Sequence, residues 1–156
     1  MAVHYYWTSG DPRLLCGTYG MPKFQLVMNS RDPKLTALQF NNFINQQDSA
    51  GLANFMTPDH AFIDRHNKVV KGKDPVTKCW REFFRLYPEY RNTFLRVESI
   101  GELVVILGYA TWTKGSELDH AIWTARIEND LVAEWRVYYD TPQDREKLLA
   151  GPETGL

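Results

Sequence analysis

The chain has 156 residues, room for one domain that can bury a core without disulfide or metal staples. Its 18 Lys and Arg against 19 Asp and Glu leave a formal net charge of −1, so no whole-molecule field recruits nucleic acid or an anionic membrane. Cys16 and Cys79 lie far apart without metal-ligand spacing, as reduced thiols of a cytoplasmic protein would, and the 13% aromatic content is enough either to fill a core or to line a ligand site.

Residues 1–31 show neither a helical nor a strand period. Turn signals (Ser9-Gly10-Asp11-Pro12, Gly17, Gly20, Met21-Pro22) crowd around one short apolar piece, Phe24 to Met28. The basic-then-apolar order of a secretory signal is missing, and the longest apolar run, Leu103 to Leu107, is far below the roughly 20 residues of a membrane helix. The sequence thus divides into an N-terminal extension over 1–31, one domain over 32–150, and a tail over 151–156.

From Asp32 the pattern becomes regular. Asp32-Pro33 sets an N-cap before a proline at the first helical position, and Ala37, Phe40 and Ile44 recur at helical spacing, which predicts a first helix to about Gln47. Asp48 or Ser49 caps a short second helix carrying Leu52, Phe55 and Met56, closed by Thr57-Pro58. A strand-like stretch from His60 to His66 turns at Asn67-Lys68 and returns at Val69-Val70. Asp74-Pro75 repeats the cap signature, and Val76, Trp80, Phe83 and Tyr87 form the apolar stripe of a third helix that ends before Pro88. The remainder reads as four strands, 92–100, 103–113, 118–128 and 131–140, joined at Gly101-Glu102, Lys114 to Glu117, and Asn129-Asp130. Thr141-Pro142-Gln143-Asp144 opens a short C-terminal helix. The expected fold is α+β: a curved antiparallel sheet wrapped around three N-terminal helices, with a short fourth helix at the end.

Counting outward from the turns sets the register, since side chains alternate faces and opposed residues share one. Trp123 then opposes Arg136 and Gly108, and Leu95 opposes Gly108. One face combines Leu95, Val97, Ile106, Gly108, Ala110, Trp112, Ala121, Trp123, Ala125, Glu134, Arg136 and Tyr138. Small residues ringed by indoles and a few polar groups make a cavity floor, unless Trp80 and Phe83 of the third helix fill the space. The other face would carry Val105, Leu107, Tyr109, Ile122, Trp135, Val137 and Tyr139. It is too apolar to stand in water, which predicts a homodimer through Ile122, Trp135, Val137 and Tyr139.

Glu134, Arg136, Tyr138 and Asp140 recur at period two on one strand and would point into one pocket. A buried Glu can act as acid or base, an Arg can clamp a carboxylate or enolate, and a Tyr can donate to an oxyanion; a Glu134–Arg136 pair would serve structure instead. Asp64 is the second carboxylate candidate. The candidate catalytic residues are therefore Asp64, Glu134 and Arg136, with Trp80, Phe83, Trp112, Trp123, Tyr138 and Asp140 as ligand-binding residues. His4, His60, His66 and His120 have no metal-ligand spacing, and neither a phosphate loop nor a GxSxG elbow is present, so no metal and no cofactor is expected.

The order of elements, the hairpin Ala61-Phe62-Ile63-Asp64 … Val70-Lys71-Gly72-Lys73, the helix with Trp80 ending Tyr87-Pro88, and the final Glu134-Trp135-Arg136-Val137-Tyr138-Tyr139-Asp140 resemble SnoaL-like proteins of the nuclear transport factor 2-like superfamily, over about residues 33–149. The resemblance implies a cone whose sheet wraps the helices, a ligand cavity on the concave side and dimerisation through the convex side. The family includes polyketide cyclases, ketosteroid isomerases and dehydratases. The isomerases' catalytic Asp falls at Asp64 or Arg65; their helix-one Tyr falls near Phe40 or Asn41, and their second Asp near Trp123. The acidic residue that follows the last-strand Trp in the cyclases is Arg136 here. The expectation is a pocket protein for a small apolar carbonyl or enol compound, acting by acid/base chemistry of the isomerase, cyclase or dehydratase kind. The alternatives are a non-catalytic small-molecule binder and a protein-interaction module of the same fold.

Overall fold

The computed structural model describes residues 31–150. The extension short of Arg31, with its Phe24–Met28 piece and Cys16, and the 151–156 tail lie outside them.

Helix α1 spans Pro33–Gln46: Asp32 caps it by accepting from the Lys34 amide (3.0 Å), and Gln47 ends it in the left-handed region at φ 57°. Its inner stripe buries Ala37, Phe40 and Ile44. Asp48 then caps the short α2, Ser49–Asn54, through the Gly51 amide (2.9 Å). Strand β1, Met56–Ile63, starts earlier than the Thr57-Pro58 punctuation predicts, because Pro58 sits in an irregular stretch where β1 skips partners between Met56 and Ala61. Strand β2 is Val69–Lys71.

Helix α3 spans Lys73–Leu86, with Gly72 at φ 102° as its cap and Asp74 inside the first turn rather than at the cap. Val76, Thr77, Trp80 and Phe84 are its buried residues, while Tyr87 falls past the end. Strands β3 (Arg91–Ile100), β4 (Leu103–Thr111), β5 (Asp119–Glu128) and β6 (Leu131–Tyr139) form the meander, and α4 is Pro142–Ala150.

The six strands run in the order β2-β1-β6-β5-β4-β3. The sheet is mixed rather than wholly antiparallel: β1 lies parallel to β6. These two are not neighbours in sequence, and turn signals speak only to the strands they join. Helix α1 packs across β3 to β6, and α3 packs on the hairpin β1–β2 and on α2. The core between helices and sheet centres on Trp123, Trp135, Phe40, Ile44 and Leu52, all nearly sealed from solvent. No helix among the described residues is long and apolar enough to cross a membrane.

Two bulges decide which side chains face inward. Around Asn129-Asp130, both at positive φ, Glu128 opposes Leu131 and Ile127 opposes Val132, as turn counting predicts. The pairing then slips, and Arg126 opposes Glu134, leaving Ala133 as the extra residue. Every later residue of β6 therefore changes face. Trp123 opposes Val137 and Ala125 opposes Trp135, so Trp135, Val137 and Tyr139 point inward and Glu134, Arg136 and Tyr138 outward. A second slip between Phe94 and Arg96 turns Phe94 inward and leaves Leu95 68% exposed. The β4–β5 pairing is displaced by two residues from the count, so Trp123 meets Ile106 and both faces are kept.

Gly108 sits beside the β3 bulge. A Cβ there would run into the Thr93 carbonyl oxygen, so glycine serves the close approach of two backbones rather than room in a cavity floor.

Candidate functional site

A cavity of about 430 Å³ opens on the concave side, between α3, the β1–β2 hairpin and the sheet. Its floor is fully buried: Val76 of α3, Trp123 of β5 and Trp135 of β6. Its walls are Phe62, Trp80, Phe83, Tyr90 and Trp112, which touch one another edge to face: Trp80 meets Phe62 and Phe83 at 5.6 Å, and Phe83 meets Tyr90 at 4.9 Å and Trp112 at 5.9 Å between ring centres. Such interlocked rings fix one another's rotamers, so the cavity is held open by packing. Cys79, His66 and Tyr139 form the exposed rim.

The polar lining gathers where β1, β4 and β6 end and β3 begins, beside the start of β5. Asp64 follows β1 and organises the hairpin turn: its Oδ1 accepts from the amides of His66 (2.8 Å) and Lys68 (2.9 Å), while Asn67 takes positive φ. The next residue, Arg65, donates from Nη1 to Asp119 Oδ1 (2.9 Å), and Asp119 Oδ2 accepts from Trp112 Nε1 (2.9 Å). Arg65 also lies over the Tyr139 ring, 5.0 Å from its centre. His66 Nε2 stands 3.4 Å from the Tyr139 hydroxyl. Burial pushes the Tyr90 phenol well above its ordinary range; the Asp119 charge adds to this, while the Arg65 charge and the Asn92 amide oppose it.

Of the residues singled out from sequence, Asp64, Trp80, Phe83, Trp112 and Trp123 line this cavity together. Glu134, Arg136, Tyr138 and Asp140 do not. Glu134 and Arg136 leave by the outer face because of the Ala133 bulge, and no ion pair joins them. Arg136 instead donates to Asn67 Oδ1 (2.8 Å) and covers the Tyr138 ring at 4.8 Å. Asp140 is bound by Arg145 Nε (2.7 Å), whose hydrogen bond holds its carboxyl below the ordinary range. Trp135, Val137 and Tyr139, expected on an outer dimer face, are cavity residues.

Turn counting missed Trp135, Val137 and Tyr139, yet the polarity of the strand carried a signal. Read alone, Glu134-Trp135-Arg136-Val137 alternates polar and apolar with Trp135 inward. Tyr90 was missed because it stands in the α3–β3 connection, outside either period. Among the described residues no three His, Cys, Asp or Glu side chains gather in a group that could hold a metal ion.

The sequence matches the model of the SnoaL-like domain over residues 37–144. The fold is similar to that of an uncharacterised cystatin-fold protein from Novosphingobium aromaticivorans, at 20% identity and TM-score 0.62 over 69% of this chain and 98% of that one. It is also similar to a candidate SnoaL-like polyketide cyclase from Shewanella putrefaciens CN-32, at 18% identity and TM-score 0.63 over 81% and 90%. A candidate ketosteroid isomerase from Kribbella flavida aligns at 17% identity and TM-score 0.59 over 74% and 86%. At these identities the likeness shows the fold alone. Among curated proteins no match is found.

Proposed function

Since the chain belongs to the SnoaL-like domain family, we propose that its concave cavity binds a small, flat, mainly apolar carbonyl or enol compound and that Asp64 and His66 move a proton on it. The observation that carries this reading is the aromatic cavity of about 430 Å³ with its polar groups gathered at one end. Its volume lies within the range typical of small-molecule sites, roughly 300–1,000 Å³, and apolar walls with a few convergent polar groups are what such sites need. A carboxylate and an imidazole, both on the lining, are ordinary carriers of protons. The similar proteins described as candidate polyketide cyclase and ketosteroid isomerase lend the same direction.

The step is a proton transfer next to a carbonyl. A base takes the α-proton, the C–H electron pair moves toward the carbonyl oxygen as an enolate, and the proton returns to carbon or oxygen. Exchange of the methyl protons of 2-acetylnaphthalene in D₂O, followed by NMR, tests this. The expected outcome is exchange faster than in buffer, lost in Asp64→Asn, which keeps an oxygen for the two turn amides, and reduced in His66→Gln. Exchange no faster than in buffer would refute the proton step.

One observation favours a second reading, binding without catalysis: Asp64 Oδ1 is already committed to the hairpin turn by two amides. Binding of the ketone without accelerated exchange identifies that case. Self-association through the outer face belongs to the same proposal. It now rests on Val105, Leu107 and Tyr109 with the outward Tyr138, a smaller apolar patch than the alternation alone suggests, since Ile122 is already buried within the chain.

A further inference from the structure

On the cavity wall stands one buried hydroxyl, that of Tyr90, which among the described residues has only the Asn92 side chain near it and makes no hydrogen bond of ordinary geometry. Tyr90 is 8% exposed, and its ring is gripped edge to face by Phe83 and Trp112, each 4.9 Å away between centres. These two rings, inclined to it at 84° and 66°, hold the phenol in place. The Asn92 side chain lies near the hydroxyl, but its amide donates to Asn41 Oδ1 at 3.1 Å. Among the described residues no group makes a hydrogen bond of ordinary geometry with Tyr90 Oη. Nor is that oxygen one of the sealed, partnerless atoms, which are Thr36 Oγ1, Thr57 Oγ1, His60 Nε2, Trp80 Nε1, Asn92 Oδ1 and Arg136 Nε. Tyr90 is one of the residues that line the cavity.

A buried hydroxyl without a partner is costly, and an interior that tolerates one at a pocket wall is suited to a ligand group that completes it. The charges nearby come as a pair: Arg65 is bonded to Asp119, which also takes the Trp112 indole. The two charges act on the phenol in opposite directions, and burial favours its protonated, hydrogen-bond-donating form. The position suits an oxygen acceptor.

We propose that the Tyr90 hydroxyl is the oxygen-binding group of the cavity, donating a hydrogen bond to the carbonyl, enol or enolate oxygen of a flat aromatic ligand seated on Trp123 and Trp135. This rests on the pocket reading above and adds the group that selects a ketone over a hydrocarbon of the same shape. Tyr90 takes the part that Arg136 would have had on an unbulged strand.

The experiment is calorimetric titration of the full chain, as wild type and as Tyr90→Phe, with two probes of matched shape: 2-acetylnaphthalene and 2-isopropenylnaphthalene. Wild type is expected to bind the ketone roughly tenfold more tightly than the hydrocarbon, the worth of one hydrogen bond formed in a buried site. Tyr90→Phe, which keeps the ring between Phe83 and Trp112, should bind the hydrocarbon unchanged and lose the tenfold preference. The infrared carbonyl stretch of the bound ketone should lie lower in wild type than in the variant, a readout that loss of packing alone does not move. Equal binding of both probes to wild type, or a preference and carbonyl frequency that survive in Tyr90→Phe, overturns the assignment while leaving the pocket in place. Binding of neither probe to either protein overturns both.

Discussion

Trp135→Ala measures whether the last strand presents its inward face as the Ala133 bulge dictates. Trp135 has no exposed surface and packs on Phe40 (4.9 Å between ring centres) and Phe94 (6.4 Å). Truncating a sealed indole removes its transfer free energy and leaves a void that α1 and β3 cannot close without moving. Buried Phe or Trp to Ala changes cost about 3–5 kcal/mol, and the absence of exposure at Trp135 places it toward the upper end. In a domain of this size that is a Tm lower by roughly 10 °C or more. Had β6 run without the bulge, Trp135 would stand on the outer face, and the same change would cost about 1 kcal/mol or less. Urea unfolding of the two proteins, with matched slopes, separates the cases. A loss under about 1 kcal/mol would show that the inward face is misassigned, and with it the cavity floor. Arg136→Met is the companion measurement: on the outer face it gives up one exposed hydrogen bond to Asn67, so its cost should stay within about 1 kcal/mol rather than the roughly 3–5 kcal/mol of a stranded buried carboxylate.

Three further outcomes follow from particular contacts. Burial holds His60 below its ordinary pKa although its Nδ1–H donates to the Val132 carbonyl (2.6 Å) and Asp59 lies near. The folded state thus keeps His60 neutral while the unfolded chain takes a proton below about pH 6.5, so stability should fall as pH drops below 6.5 toward the folded pKa; unfolding free energies between pH 7.5 and 5.5 should show that slope in wild type and a flatter one in His60→Gln. Gly108→Ala forces a methyl against the Thr93 carbonyl oxygen, where neither backbone can give without breaking the β3–β4 ladder, and should cost about 1–3 kcal/mol or more; an unchanged Tm would refute the close approach. Sedimentation at micromolar concentration should show a dimer that Tyr109→Glu dissociates, whereas a wild-type monomer removes the outer-face proposal.

The sequence made the element order legible because caps, prolines and helical stripes are local. Asp32-Pro33, Asp48 and the Asn129-Asp130 turn all act within a few residues of where they stand. The facing of β6 was not legible by counting from its turn, since one extra residue at Ala133 reverses everything after it and a bulge has no residue signature of its own. The parallel β1–β6 pair escaped for a related reason: more than sixty residues separate its partners, and no turn joins them. For the site, the aromatic residues of α3 and β5 followed from periodicity, so Trp80, Phe83 and Trp123 were found. Tyr90 and the Arg65–Asp119–Trp112 cluster join the ends of four different elements, a proximity only the assembled fold creates.

The central claim is that the concave cavity is a ligand site, and one titration tests it most directly: calorimetry of 2-acetylnaphthalene into wild type and into Val137→Trp, a half-buried lining position where an indole fills the space above the floor. Wild type is expected to show saturable binding at one ligand per chain, lost in a Val137→Trp protein that still unfolds cooperatively. No binding to wild type, or binding undiminished in the filled variant, would contradict it.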